Sequence, residues 1–358
     1  MPRFLFVAIQ TNWFNESALG CQTGTNIINM KERNVSIDLL KCLAALLITN
    51  SHMDLLYGKY SFLGTGGAIG DVLFFFCSGF TLFLKPMGGI TYFPDWYKRR
   101  INRIYPTVLA VAILSCLLRD SHRDIIDIII HGGGWFVSCI MLYYIAIFVI
   151  GAYMKNKIFI ISLLVVIGSG IWFYSIYQMP DYQTPDFNMY GTAHYLRWLL
   201  FFIFMLLGAK MGTIVQNVKS NPTKDAILLM LNIIGFYAIY VLPRKFDSIS
   251  ALQFFSFLPL LGTVYYFYKV GASDWAKKLY QNKIGNFTIR FIGGLCLEIY
   301  LIQGFLFTDR MNNIFPLNIV IMFIMIFIAA YFTRCLSRFI SQTFKDTPYD
   351  WGKIIELY

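Results

Sequence analysis

Apolar residues run for about 20 positions at a time along this chain, the length a helix needs to cross a bilayer, and polar residues collect in the gaps between the runs. Ten stretches qualify: 36–53, 67–85, 101–118, 135–154, 157–177, 195–213, 225–242, 250–269, 288–307 and 315–333. They predict an all-α polytopic membrane protein of about ten transmembrane helices. Pro106 and Gly293-Gly294 fall within or beside spans, where membranes tolerate them better than water does.

Two connections are more than short turns. Residues 119–134, "RDSHRDIIDIIIHGGG", are polar, then apolar, then triple glycine. Their apolar core is too short to span, so an interfacial or re-entrant piece is expected. Residues 178–194, "QMPDYQTPDFNMYGTAH", are rich in Asp, Tyr, Pro and Gly and suit either a carbohydrate site or an ordinary connector. The domain layout is then 1–30, an N-terminal extension of little functional weight; 31–335, one transmembrane domain; and 336–358, a C-terminal tail.

Charge adds orientation. Only 14% of the 358 residues are charged and 57% are hydrophobic, against about a quarter charged in soluble domains. The net charge of +11 would suit a nucleic acid, but the basic residues fall mostly in alternate loops. One side collects Lys31, Arg33, Lys85, Lys98 to Arg103, Lys155, Lys157, Lys210 to Lys224, Lys269 to Arg290 and the tail from Arg334. That makes roughly 22 basic residues against about 7, which assigns this side and both termini to the cytoplasm. No nucleic-acid partner is expected. The seven cysteines are scattered and no pair has metal-ligand spacing, so no metal is expected either.

Candidate chemistry begins in "IDLLKCLAALLITNSHMD", Ile37 to Asp54. Titratable groups at membrane depth cost roughly 2.5–3.5 kcal/mol each on insertion scales. Lys41 and His52 are eleven positions apart, which puts them on one helix face about 16 Å apart along the axis. Asp38 precedes Lys41 by three and is placed to pair with it. Histidine suits general-base work near neutral pH. A solvated interfacial histidine is the plainer alternative. Asp71 or Asp54 could orient the imidazole, and the sequence does not choose between them. In "GTGGAIGDVLFFFCSGFTLFL", Gly64 to Leu84, Ser78 beside Gly79 suits a cavity wall or close helix packing. In "WYKRRINRIYPTVLA", Trp96 to Ala110, Arg99, Arg100 and Arg103 suit a phosphate clamp or a lipid anchor.

Taken together, these elements resemble the membrane acyltransferase-3 family. The family's Arg, ten residues, His signature is matched by Lys41, "CLAALLITNS", His52. Its Phe-Phe-x-x-Ser-Gly-Phe and Arg-x-x-Arg…Pro motifs are matched by "GDVLFFFCSGF" and "RINRIYP". "GGGWFVSCIMLYY", with Trp135, and "CLEIYLIQGFLF" resemble its later motifs. The likeness covers roughly residues 33–333. It implies acyl transfer, usually from acetyl-CoA, onto extracytoplasmic sugars. His52 would be base or acyl carrier, Lys41 its charged companion, and Arg100 and Arg103, with Arg99 beside them, the grip on coenzyme A. Asp54, Ser78, Trp135 and Gln303 would be substrate contacts. The sequence departs from the family at Lys41, where Arg is usual, and at Gln303, where His is usual. Glutamine cannot carry a proton, so an acid role would pass to Glu298, unless that is only a buried neutral carboxyl.

The setting this implies is the bacterial inner membrane, with capsule, exopolysaccharide or a lipid-linked saccharide as acceptor and a homodimer left open. A transporter or flippase, a sugar polymerase and an inactive family relative are the other readings.

Overall fold

The computed structural model describes residues 34–84, 92–119, 124–178, 188–191, 194–214, 220–345 and 347–357. The extension expected over residues 1–30 lies outside them, as do 179–187 and 192–193 of the second long connection. In chain order the helices are α1 (Val35–Ser51), α2 (Asp54–Tyr57), α3 (Gly67–Phe83), α4 (Phe93–Arg119) and α5 (Ile125–His131). Then come α6 (Gly134–Tyr153), α7 (Ile158–Tyr177), α8 (His194–Thr213), α9 (Pro222–Lys245) and α10 (Phe257–Gly271). The last five are α11 (Asp274–Gln281), α12 (Lys283–Gly294), α13 (Cys296–Ile302), α14 (Leu317–Thr343) and α15 (Trp351–Ile355). No strand occurs among the described residues.

Each of the ten apolar stretches coincides with a helix or a bent helix pair. Among the described residues, seven helices are long and apolar enough to cross a bilayer by themselves, or up to nine spans if each bent pair counts as one. The first pair turns by 63° between α1 and the segment Asp54–Leu63, and the second by 57° between α12 and α13. The remaining stretch is α3, at 17 residues the shorter apolar helix. This is a multi-pass membrane protein.

α1 is the centre of the bundle, packed on α3, α10, α12 and α13. Its start is fixed by Asn34, whose side chain accepts from the Ile37 amide and so satisfies one orphan donor of the first turn. α3 and α8 cross at backbone contact: a Cβ on Gly79 would collide with the Met205 carbonyl, and one on Gly208 with the Phe76 carbonyl. Small residues allow such an approach in lipid, where close packing replaces the hydrophobic drive. Near the ends of α9 and α10, the buried Asp225 accepts from Lys269 Nζ at 2.6 Å and from the Asn221 amide at 2.8 Å. A charge that deep is tolerated because it is paired and hydrogen-bonded.

Candidate active site

The first bend builds the site. α1 stops at Ser51, and His52 caps it with φ −102° and ψ 3°, outside the helical region. Asn50 then ties the returning chain down, donating to the carbonyls of Leu63 at 2.8 Å and Thr65 at 2.9 Å while accepting from the Tyr57 hydroxyl at 2.5 Å. Gly66 takes φ +102°, a left-handed conformation that favours glycine, to redirect the chain into α3. This excursion holds His52 at the mouth of a cavity of about 280 Å³.

Asp71, Trp135 and Arg197 line the same cavity, with Tyr190, Phe236, Tyr237, Tyr240 and Tyr300 as an aromatic wall. The Arg197 guanidinium lies 3.8 Å from the centre of the Trp135 ring and donates to the Tyr190 carbonyl at 2.6 Å. Asp54 and Arg197 are the charged groups that bear on His52, and Arg197 is the one that bears on Asp71. No hydrogen bond joins Asp71 to His52 among the described residues. Of the two candidate orienters, Asp71 lines the cavity with His52, whereas Asp54 is exposed and does not line it.

A second cavity, of about 200 Å³, opens around Lys41, Ser78, Arg100, Arg103, Glu298 and Arg334. The pair expected between Asp38 and Lys41 does not form. The Tyr280 hydroxyl, at the end of α11, reaches Asp38 first and donates to it at 2.8 Å. That leaves the Lys41 ammonium without a hydrogen bond or ion pair among the described residues. Arg100 rests against the rings of Trp96 at 4.8 Å and Tyr144 at 5.9 Å. Arg99 is exposed and lies outside the cavity. Glu298 is buried, with Arg334 Nε at 3.5 Å and the Thr107 hydroxyl at 3.4 Å from the same carboxylate oxygen. Its other oxygen has no partner.

Between the two cavities lies a void of only about 10 Å³. Ile48 and Tyr300 line it together with the His52 cavity, while Phe74, Phe136 and Cys296 line it together with the Lys41 cavity. The Thr49 hydroxyl at this waist is buried without a partner. Lys41 and His52, toward opposite ends of α1, thus border a cationic cavity and a cavity holding an imidazole, with the small void at Ile48 and Thr49 between them.

The sequence-derived residues divide accordingly. His52, Asp71 and Trp135 share one cavity; Lys41, Arg100, Arg103, Ser78 and Glu298 share the other. Ser78, whose hydroxyl lies 3.2 Å from that of Tyr144, lines the Lys41 cavity and not the His52 cavity. Gln303 is buried, has an unpartnered side-chain oxygen and lines none of the three voids. Arg197, Arg334 and Tyr300 escaped notice in the sequence. Arg197 carried the same signal as Lys41, a lone cation inside an apolar run. Arg334 was hidden among basic residues of the tail.

Nothing matches among curated proteins or among solved structures. A family model described as an acyltransferase domain, acyltransferase family 3, matches residues 34–335. The match takes in α1, both cavities and the waist between them, and the chain belongs to the acyltransferase-3 family of membrane proteins.

Proposed function

We propose that this protein is an O-acyltransferase of the bacterial inner membrane. It would move an acetyl group from cytoplasmic acetyl-CoA to a hydroxyl of an extracytoplasmic cell-surface polysaccharide or lipid-linked saccharide. The observation that carries this reading is the pair of cavities along α1, cationic around Lys41 and imidazole-bearing around His52, with only a small void between them.

The chemistry of each cavity suits one substrate. Lys41, Arg100, Arg103 and Arg334 supply positive charge for a polyanionic donor, with the guanidinium forks suited to phosphate oxygens. The void between the cavities has room for about one water, so passage of the thioester arm would require Phe74, Phe136 and Tyr300 to give way. On the other side, the aromatic wall offers flat faces for the apolar side of a sugar ring, with Asp71 and Asn188 beside it as acceptors for hydroxyls.

In a direct transfer, the His52 imidazole takes the proton of the acceptor hydroxyl as its oxygen attacks the thioester carbonyl. Collapse of the tetrahedral adduct breaks the carbon–sulfur bond, and the thiolate leaves with the proton from His52. In a two-step transfer the imidazole attacks first, releases the thiol as an acyl-imidazole, and then passes the acyl group to the hydroxyl. In either route Arg197, held by the Trp135 face, is placed to oppose the negative charge that develops on the carbonyl oxygen.

The test uses purified protein, labelled acetyl-CoA and a panel of saccharides, comparing wild type with His52→Ala. Consumption of thioester with label appearing on saccharide, abolished in the variant, is expected. Uptake of saccharide with acetyl-CoA intact would instead identify a transporter.

A further inference from the structure

The triple glycine Gly132–Gly134 and the short helix before it have no part in the chemistry described above, yet they border a third cavity of about 300 Å³. Its walls are the second half of α4, at Val111, Ala112 and Ser115, the end of α5, and Leu301 and Phe305 after the second bend. Tyr300 lines this cavity and the His52 cavity alike. Beside Tyr300 the partition is glycine backbone. Gly134 takes φ +65°, and a Cβ there would stand 3.1 Å from the Tyr300 hydroxyl. Tyr300 is therefore a wall common to the two spaces, with the Gly134 backbone beside its hydroxyl on the side of the third cavity.

The outer rim is apolar. Leu117 and Leu118 of α4 are exposed, as are Ile125, Ile126, Ile129 and Ile130 of α5. α5 has only seven residues and cannot cross a bilayer. In a membrane protein, such a face borders lipid. No Lys or Arg lines the groove, and its one histidine, His131, is bonded to Asp127 at 2.9 Å. Val111, Ala112, Ile128, Leu301 and Phe305 give the groove an uncharged apolar side, while Ser115 and the Tyr300 hydroxyl give it a polar one.

We propose that this groove receives the hydrocarbon chain of a lipid-anchored acceptor from the bilayer while the sugar attached to it enters the His52 cavity past Tyr300. The inference rests on the acyl-transfer reading and narrows its acceptor to an amphiphile. A free polymer has no use for an amphipathic groove, beside exposed apolar residues of α4 and α5, that shares the Tyr300 wall with the His52 cavity. A chain anchored beside the site also converts acceptor capture from three dimensions to a confined encounter.

The experiment compares methyl and dodecyl glycosides of glucose, galactose and mannose as acceptors for protein in nanodiscs, in wild type and in Ala112→Phe, which fills the groove. A dodecyl preference of at least tenfold in kcat/KM is expected, lost in Ala112→Phe, with turnover of methyl glycosides unchanged. A preference that survives Ala112→Phe overturns the proposal, because partition into the bilayer alone would explain it. So does an equal loss for both glycosides. A second arm needs no turnover: a dodecyl glycoside with a terminal diazirine should label residues 111–116 or 301–305. Labelling elsewhere, or equal labelling of these residues by a diazirine phosphatidylcholine, counts against a dedicated site. Failure of every glycoside to accept acetyl, with the groove still labelled selectively, would count against the acyl-transfer reading and leave the groove standing.

Discussion

The Arg197 guanidinium lies 3.8 Å from the centre of the Trp135 ring, inside the cavity that His52 lines. Its Nε has no partner and Asp71 is its principal counter-charge. A cation fixed by an aromatic face and a backbone carbonyl needs little reorganisation when negative charge appears beside it, which is the condition for electrostatic catalysis. Arg197→Gln should lower kcat by about 10²- to 10³-fold with little change in the KM for acetyl-CoA. A rise in that KM with kcat intact would move Arg197 out of the reaction and into donor binding.

Donor binding should respond at the opposite cavity. Arg100→Ala together with Arg103→Ala, and Arg334→Ala by itself, should each raise the KM for acetyl-CoA. One lost charge-assisted contact is worth about 1.5–3 kcal/mol, or roughly 10- to 150-fold in affinity. Lys41→Arg should keep activity and Lys41→Ala should lose most of it. Initial rates over a donor series, with expression and membrane insertion checked in parallel, decide between phosphate grip and lipid anchoring.

Glu298 touches Arg334 and Thr107 rather than any group of the His52 cavity. It is therefore expected to hold Arg334 in position rather than to serve as the acid that Gln303 cannot be. Glu298→Gln should shift the donor KM by severalfold and leave kcat within about threefold, on the scale of one altered hydrogen bond. A fall in kcat alone would restore the acid role.

The Asp225–Lys269 pair is structural. Asp225→Ala leaves the Lys269 ammonium in a largely buried position without its 2.6 Å partner, a change that typically costs about 3–5 kcal/mol. The midpoint of thermal unfolding in detergent should fall sharply. Changing both residues, Asp225→Leu with Lys269→Met, should recover much of the loss, since no orphan charge then remains.

Gly79→Ala should loosen the α3–α8 crossing, because the added carbon meets the Met205 carbonyl and both backbones are rigid. Overpacking of this kind costs about 1–3 kcal/mol. Ser78→Ala, one residue away, loses only the contact to Tyr144 and should be far milder in the same unfolding assay.

Much of this was legible in the chain. Ten apolar stretches found ten helical features because hydropathy over about 20 residues is a local property that the bilayer reads directly. Placing Lys41 and His52 on one face needed only helix periodicity. Pair contacts were less legible. The i, i+3 spacing of Asp38 and Lys41 suggested a bond, but Tyr280, 242 positions from Asp38, took the carboxylate. Likewise Arg334 and Glu298 look unrelated along the chain and meet only because α14 packs on α13.

The sequence by itself determined the class of protein, the positions of its spans and the family resemblance, and it pointed to His52, Lys41, Arg100 and Arg103 as candidate chemistry. Tertiary structure decided how those groups are shared out. It put Ser78 and Glu298 with the cations, Asp71 and Trp135 with His52, and Tyr300 in the lining of both the His52 cavity and the third cavity. The physical reason is that a span is specified by its own residues and their solvent, whereas a cavity is the space left among several helices. Its shape follows from close approaches such as Gly79 on Met205 and from two bends whose angles no single helix encodes.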